Sequence, residues 1–270
     1  MHVPGSSQPI EGQAERIPQT IAALRRQISH WEGHGRPVDE RPVSTACVAL
    51  DRLLPHGGLV RGTVIEWLAG SEGGGAESLA FQAAREACRG VGALVVIDRR
   101  REFYPPAALR LGLAPQQIVV VQPTTRNDFI WALDQALRCP AAAATLAWVD
   151  QLDGHAFRRF QLAAEQAATL GLLVRPADAR HEPSWADVRL LVEPFPSADV
   201  DGRRLHIELL RCRGGAGGQR IEVVLDHETR GVHLGRGEER LQGTGDRLQG
   251  RGYRGQVAGS GRGRDVQGVA

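Results

Sequence analysis

Residues 63–79 read TVIEWLAGSEGGGAESL. Thr63–Leu68 is an apolar run of strand length, and Glu77–Arg89 has the Ala- and Leu-rich character of a helix. Gly70, Gly73, Gly74 and Gly75 lie between them. Strand, glycine loop and helix make the frame of a phosphate-binding loop, whose pattern is G-x-x-x-x-G-K-[ST]. Gly70 and Gly75 have that spacing. The next positions are Ala76, Glu77 and Ser78, where the pattern asks for lysine and then a hydroxyl.

The chemistry of such a loop depends on those two residues. Backbone N–H groups at a helix N-terminus cradle the phosphates. Lysine reaches the β- and γ-phosphates, and the hydroxyl holds Mg²⁺. Ala76 removes the cation. Glu77 brings a carboxylate to the place of the hydroxyl. Two like charges about 4 Å apart repel by roughly 4 kcal/mol at an effective dielectric near 20. Ser78 offers a shifted hydroxyl without a neighbouring lysine. A glutamate in the first turn also satisfies the helix dipole internally. All 33 basic residues of the chain are arginine, so no lysine elsewhere restores the site.

Outward from the loop, apolar runs alternate with helical stretches. Ala93–Asp98, Ile118–Gln122, Thr145–Asp150 and Leu170–Arg175 read as strands. Pro106–Leu111, Thr125–Arg138 and Gly154–Thr169 read as helices. Such alternation predicts a parallel sheet covered on both faces. Asp187–Glu193, Leu205–Arg211, Arg220–Leu225 and Gly231–Leu234 are strand-like and joined by turns, which predicts antiparallel strands extending the sheet.

Three segments follow: an arm over 1–42, a core over 43–234 and a tail over 235–270. In the arm, Ile21, Leu24, Ile28 and Trp31 form one apolar stripe of a helix ended by Gly33 and Gly35. Leu24, Ile28 and Trp31 are candidate partner contacts. The tail is Gly-, Arg- and Gln-rich and is expected to be disordered. Its seven arginines against four acids fit either a solvated tail or a single-stranded nucleic-acid contact.

Composition narrows the class. The 270 residues are 42% hydrophobic and 24% charged, with a net charge of +2. That suits one sizeable core and argues against wholesale nucleic-acid binding. No run approaches the roughly 18 apolar residues of a membrane helix, and the first residues lack the pattern of a signal peptide. Cys47, Cys88, Cys139 and Cys212 are scattered, as packed thiols of a cytoplasmic protein would be. His30 and His34 have helical ligand spacing, but Gly33 and Gly35 break the helix. No metal, cofactor or membrane contact is expected.

Two stretches resemble the RecA recombinase superfamily: VSTACVALDRLLPHGGLVRGTVIEWLAGSEGGGAESL (43–79) and LVVIDRRREFYPPAALRLGL (94–113). Ser44, Thr45, Leu50, Asp51, Leu54, Gly57, Gly58, Gly62 and Glu66 match the segment that leads into its phosphate loop. LPHGGLVRGTVIEWLAG, AWVDQLD and LLRCRGG are similar to the ImuA branch. The resemblance spans about residues 43–225. It implies a RecA-like three-layer α/β core, and for the branch an accessory role in damage-induced (SOS) translesion DNA synthesis. The implied partners are an ImuB-like Y-family protein, a DnaE-type error-prone polymerase and RecA, with single-stranded DNA and self-association as further contacts.

The resemblance also assigns positions. Arg100 stands where the family has a water-activating glutamate, and a guanidinium cannot take a proton. Glu102 is two residues further on. Asp150 matches the Walker B carboxylate, with a structural role expected through loop N–H groups. Arg211 and Arg213 match a basic pair that reaches a neighbour. Both DNA loops are cut down, to Gln151–Gly154 and to PADARHEPSW (176–185). Arg158, Arg159, Arg211 and Arg213 are candidate DNA or partner contacts. No catalytic residue is expected, so the chain reads as a non-catalytic scaffold. An ATP-binding repair protein and a single-stranded DNA-binding module are the alternatives.

Overall fold

The first apolar run folds as β1 (Val64–Ala69), and α2 (Ala76–Ala87) follows the glycine loop. Next come β2 (Ala93–Ile97), α3 (Pro105–Arg110), β3 (Ile118–Val121), α4 (Arg126–Leu137), β4 (Ala142–Trp148), α5 (Gly154–Ala167) and β5 (Leu170–Pro176). The chain then forms β6 (Val188–Phe195), β7 (Gly202–Cys212), β8 (Gln219–Asp226) and β9 (Val232–Leu234). A short helix that the sequence reading did not anticipate, α1 (Val48–Leu53), precedes β1. This computed structural model describes residues 41–90, 92–196, 202–226 and 231–234. The stripe of Leu24, Ile28 and Trp31 and the stretch 235–270 lie outside the described residues.

The strands form one sheet in the order β3-β2-β4-β5-β1-β6-β7-β8-β9. β3 through β6 in that order pair in parallel, and β6 through β9 pair antiparallel. β4 starts three residues before the expected Thr145, because Ala142–Ala144 pair with β2 and β5 despite their weak strand propensity. It ends at Trp148, so Asp150 lies two residues past the strand rather than closing it.

Side-chain alternation sorts the layers. Ile65 and Trp67 of β1 pack with Leu79, Ala80, Ala83 and Ala84 of α2. Val64 packs on the opposite face with Leu133 of α4 and Phe157 and Phe160 of α5. The alanines let α2 sit close to the sheet, and each buried Leu or Phe contributes about 1.5–3 kcal/mol. The four cysteines are free. Burial pushes the thiols of Cys47 and Cys212 up, which keeps them protonated and inert.

Asp153 caps α5 by accepting the Ala156 N–H at 2.8 Å. That bond holds its carboxyl below the usual aspartate range. A lowered folded value means the cap stabilises above the ordinary aspartate range and is lost as pH falls through the folded value. Asp153→Ala should therefore lower Tm at neutral pH, and the deficit should vanish in strong acid, as followed by circular dichroism.

Candidate functional site

β2 leads to β3 on one side of the sheet, and β3 leads back across it to β4. The sheet thus switches direction between β2 and β4. In open α/β sheets the carboxyl ends of the strands at such a switch form the ligand crevice. The loop after β1 and the loops after β2 and β4 meet there. Their cleft, about 350 Å³, is lined by Glu72, Glu77, Arg100, Trp148, Asp150 and Asp178, among others.

The glycines of the first loop answer to the fold. Gly70 donates its N–H to Val192 O at 2.9 Å, and a Cβ there would lie 2.8 Å from Glu193 Cγ. Gly75 caps α2 with φ 101°, and a Cβ would meet Leu205 Cδ1 at 2.7 Å. Arg203 of β7 donates to the Gly73 carbonyl, and the Gly74 N–H bonds Ser71 O at 3.0 Å. β6 and β7 therefore grip this loop from one side.

Ala76, at the lysine position, is the first residue of α2 and is buried in the core. Glu77, at the hydroxyl position, accepts from the Trp148 indole Nε1 at 3.0 Å. Trp148 ends β4, so the Glu77 carboxylate ties α2 to the switch point. Ser78 is half-buried and faces the neighbouring recess beside Phe81.

The structure brings the two carried-over catalytic positions together as an ion pair. Arg100 Nη2 lies 2.5 Å from Asp150 Oδ1, and Arg100 Nη1 lies 4.0 Å from Glu102 Oε2. Asp150 was expected to bond loop N–H groups; it pairs with the guanidinium instead, because the strand ends two residues earlier and frees it to cross the crevice. The Asp150 hydrogen bond raises the Arg100 pKa further. Asp98, buried at the end of β2, fixes the turn by accepting the N–H groups of Glu102 at 3.0 Å and Phe103 at 3.1 Å. The Arg100–Asp150 pair is half exposed, so Arg100→Ala should cost no more than about 1 kcal/mol. Urea melts at low and high salt check this, with the difference shrinking in salt.

The other candidate arginines are dispersed and partnered. Arg158 bonds Gln161 and stacks over Trp185, 5.1 Å from the ring centroid. Arg159 pairs with Asp134 at 3.1 Å, which also holds Arg138 at 2.9 Å. Arg211 donates to Ser184 O at 2.7 Å, and Arg213 pairs with Asp187 at 3.3 Å. These bonds tie the four arginines to their own fold.

The sequence reading missed a buried charge network. Glu66 of β1 is fully buried, with Oε1 2.6 Å from Arg175 Nη1. Its Oε2 lies 2.6 Å from Arg189 Nε, in contact but with the N–H not aimed along it, and accepts Ser184 Oγ at 2.7 Å. Arg175 also holds Glu182 at 2.5 Å, and Arg189 donates to Ala179 O at 2.6 Å. The segment 176–185, where a second DNA loop was sought, is thus stapled to the sheet. The available signal was three charged residues inside apolar strand runs. Among the described residues no cluster of His, Cys, Asp or Glu is arranged to hold a metal ion. No helix among them is long and apolar enough to cross a membrane.

With this geometry in view, similarity to known proteins is informative. The chain is 33% identical to "Protein RecA" of Rhodospirillum rubrum over 107 residues, 40% of this chain and 29% of that protein. It is 30% identical to "Protein ImuA" of Caulobacter vibrioides over 142 residues, 47% of this chain and 58% of that protein. A crystal structure of the RadB recombinase superposes with a TM-score of 0.56 at 15% identity, covering 71% of this chain and 99% of that one. The chain has a RecA-like fold and is similar in sequence to RecA and to ImuA over less than half of its length. It spans less than two thirds of either curated relative. No family model matches it.

Proposed function

We propose that this chain is a non-catalytic scaffold of SOS-induced translesion DNA synthesis. It bridges an ImuB-like factor, a DnaE-type polymerase, RecA or DNA. The observation that carries the non-catalytic reading is the Arg100–Asp150 pair. A guanidinium occupies the position of the water-activating base and is bonded to the carboxylate that would serve the metal. The absence of lysine and the Glu77–Trp148 bond support the same reading. Likeness to ImuA supports the pathway.

Two measurements test it. Isothermal titration with Mg-ATP should give no heat of binding in the micromolar range, and micromolar affinity would overturn the non-catalytic reading. A pull-down of the tagged full chain from DNA-damaged cells should recover a Y-family-like protein or a DnaE-type polymerase. Recovery of neither would remove the pathway assignment and leave the fold.

A further inference from the structure

The cleft that a nucleotide would enter is acidic. Glu72, Glu77, Asp150 and Asp178 line it, against Arg100. Arg175 also reaches its wall, but its guanidinium is taken by Glu66 and Glu182. Past Glu77 and Trp148 lies a recess of about 180 Å³ beside α2 and α3. Its walls include Phe81, Phe103, Tyr104 and Trp148, together with Glu102. The rings of Phe81 and Phe103 stack at 5.6 Å, and Phe81 and Trp148 lie 6.1 Å apart. Tyr104 is 63% exposed.

Gln82 adds an independent observation. Its side chain is 1% exposed and lines this recess, and its Nε2 has no hydrogen-bond partner. A buried donor left unpaired costs about 1–3 kcal/mol. Nε2 is sealed in this rotamer, and turning the amide about χ3 toward the recess would let an entering acceptor remove that cost. Neither carboxylate nearby serves Gln82: Glu77 Oε1 accepts from Trp148, and Asp150 pairs with Arg100.

One ligand class satisfies rings, carboxylates and donor together. A guanidinium held over aromatic faces is attracted by their quadrupoles, and more strongly when desolvated. Carboxylates receive it in charge-assisted hydrogen bonds. A phosphate meets only repulsion from the same carboxylates. The acceptor that suits an amide donor at the recess wall is a backbone carbonyl. We propose that the recess is the docking site for an arginine-bearing extended segment of a protein partner. The guanidinium sits among Glu77, Glu102 and the four rings, and a backbone carbonyl of the segment accepts from Gln82. This rests on the reading that the cleft does not serve ATP.

The test uses the full chain and a capped tripeptide, acetyl-Gly-Arg-Gly-amide. Its control carries citrulline, the neutral isostere of arginine. Binding is followed by NMR on the Trp148 indole N–H, assigned with Trp148→Phe. The arginine peptide should shift that signal saturably, and the citrulline peptide should bind about tenfold more weakly. Glu102→Gln and Tyr104→Ala alter exposed side chains, so both should fold, and each should weaken binding several-fold. Gln82→Leu should weaken binding while raising Tm, since it removes an unpaired buried donor. Equal binding of the two peptides, or no Trp148 shift at tens of millimolar peptide, overturns the proposal. Absence of binding by both Mg-ATP and the arginine peptide overturns this inference alone, whereas micromolar Mg-ATP binding overturns the scaffold reading as well.

Discussion

Glu66→Gln should destabilise the folded chain by about 3–5 kcal/mol, the usual consequence of removing one partner from a buried ion network. Glu66 has no solvent exposure, and its two oxygens face Arg175 and Arg189 at 2.6 Å each. Neutralising it leaves two buried guanidinium groups with only Glu182, which is 40% exposed, as a carboxylate partner. A loss of that size is a large part of the roughly 5–15 kcal/mol that holds a domain folded. Urea denaturation should show a lower midpoint with an unchanged slope. Hydrogen exchange should rise across 177–186, because Ser184 and the carbonyls of that segment hang on the same residues. The control is Arg220→Ala, whose pair with Glu208 at 2.9 Å lies on the surface; it should cost less than about 1 kcal/mol. Equal, small losses in both variants would show that the network does not anchor the segment.

Gly75→Ala is the second large effect. A residue with a side chain at φ 101° is strained, and its Cβ would press on Leu205 Cδ1 at 2.7 Å. Left-handed backbone costs about 1–2 kcal/mol for an L-residue, and overpacking a core adds about 1–3 kcal/mol. Gly73 separates the two terms. It has φ 63° but nothing within 4 Å of its would-be Cβ. Gly73→Ala should therefore cost about 1–2 kcal/mol, well short of Gly75→Ala. Both losses should appear with no nucleotide present. If Gly75→Ala leaves the urea midpoint in place, the fold does not require that glycine, and its presence would have to be explained by a ligand.

These two variants mark where the sequence could and could not be read. The loop was visible because strand, glycines and helix follow each other locally, and the periods of 2 and 3.6 residues report local geometry directly. The switch from parallel to antiparallel strands was visible for the same reason, in continuous apolar runs giving way to short turn-bounded ones. Helix α1 was not, because VALDRL is only six residues long and its place is set by Asp51. The Asp51 carboxylate gathers Ser44 Oγ at 2.6 Å and the Thr45 N–H at 2.8 Å. The pattern S-T…L-D was seen as a resemblance, and the hydrogen bonds that explain it appear only in three dimensions.

Residue chemistry at single positions was likewise open to inspection. Ala76 cannot supply a cation, and Arg100 cannot act as a base. The sequence by itself determined those exclusions and the layered α/β core, because both depend on side-chain identity and short-range periodicity. Only the tertiary structure decided what the altered positions do instead. Glu77 and Trp148 are 71 residues apart, Arg100 and Asp150 are 50 apart, and Glu66 and Arg175 are 109 apart. No local pattern encodes such pairs. They form because β1, β2, β4 and β5 lie side by side in an order that differs from their order in the chain, and that order follows from which apolar faces bury together.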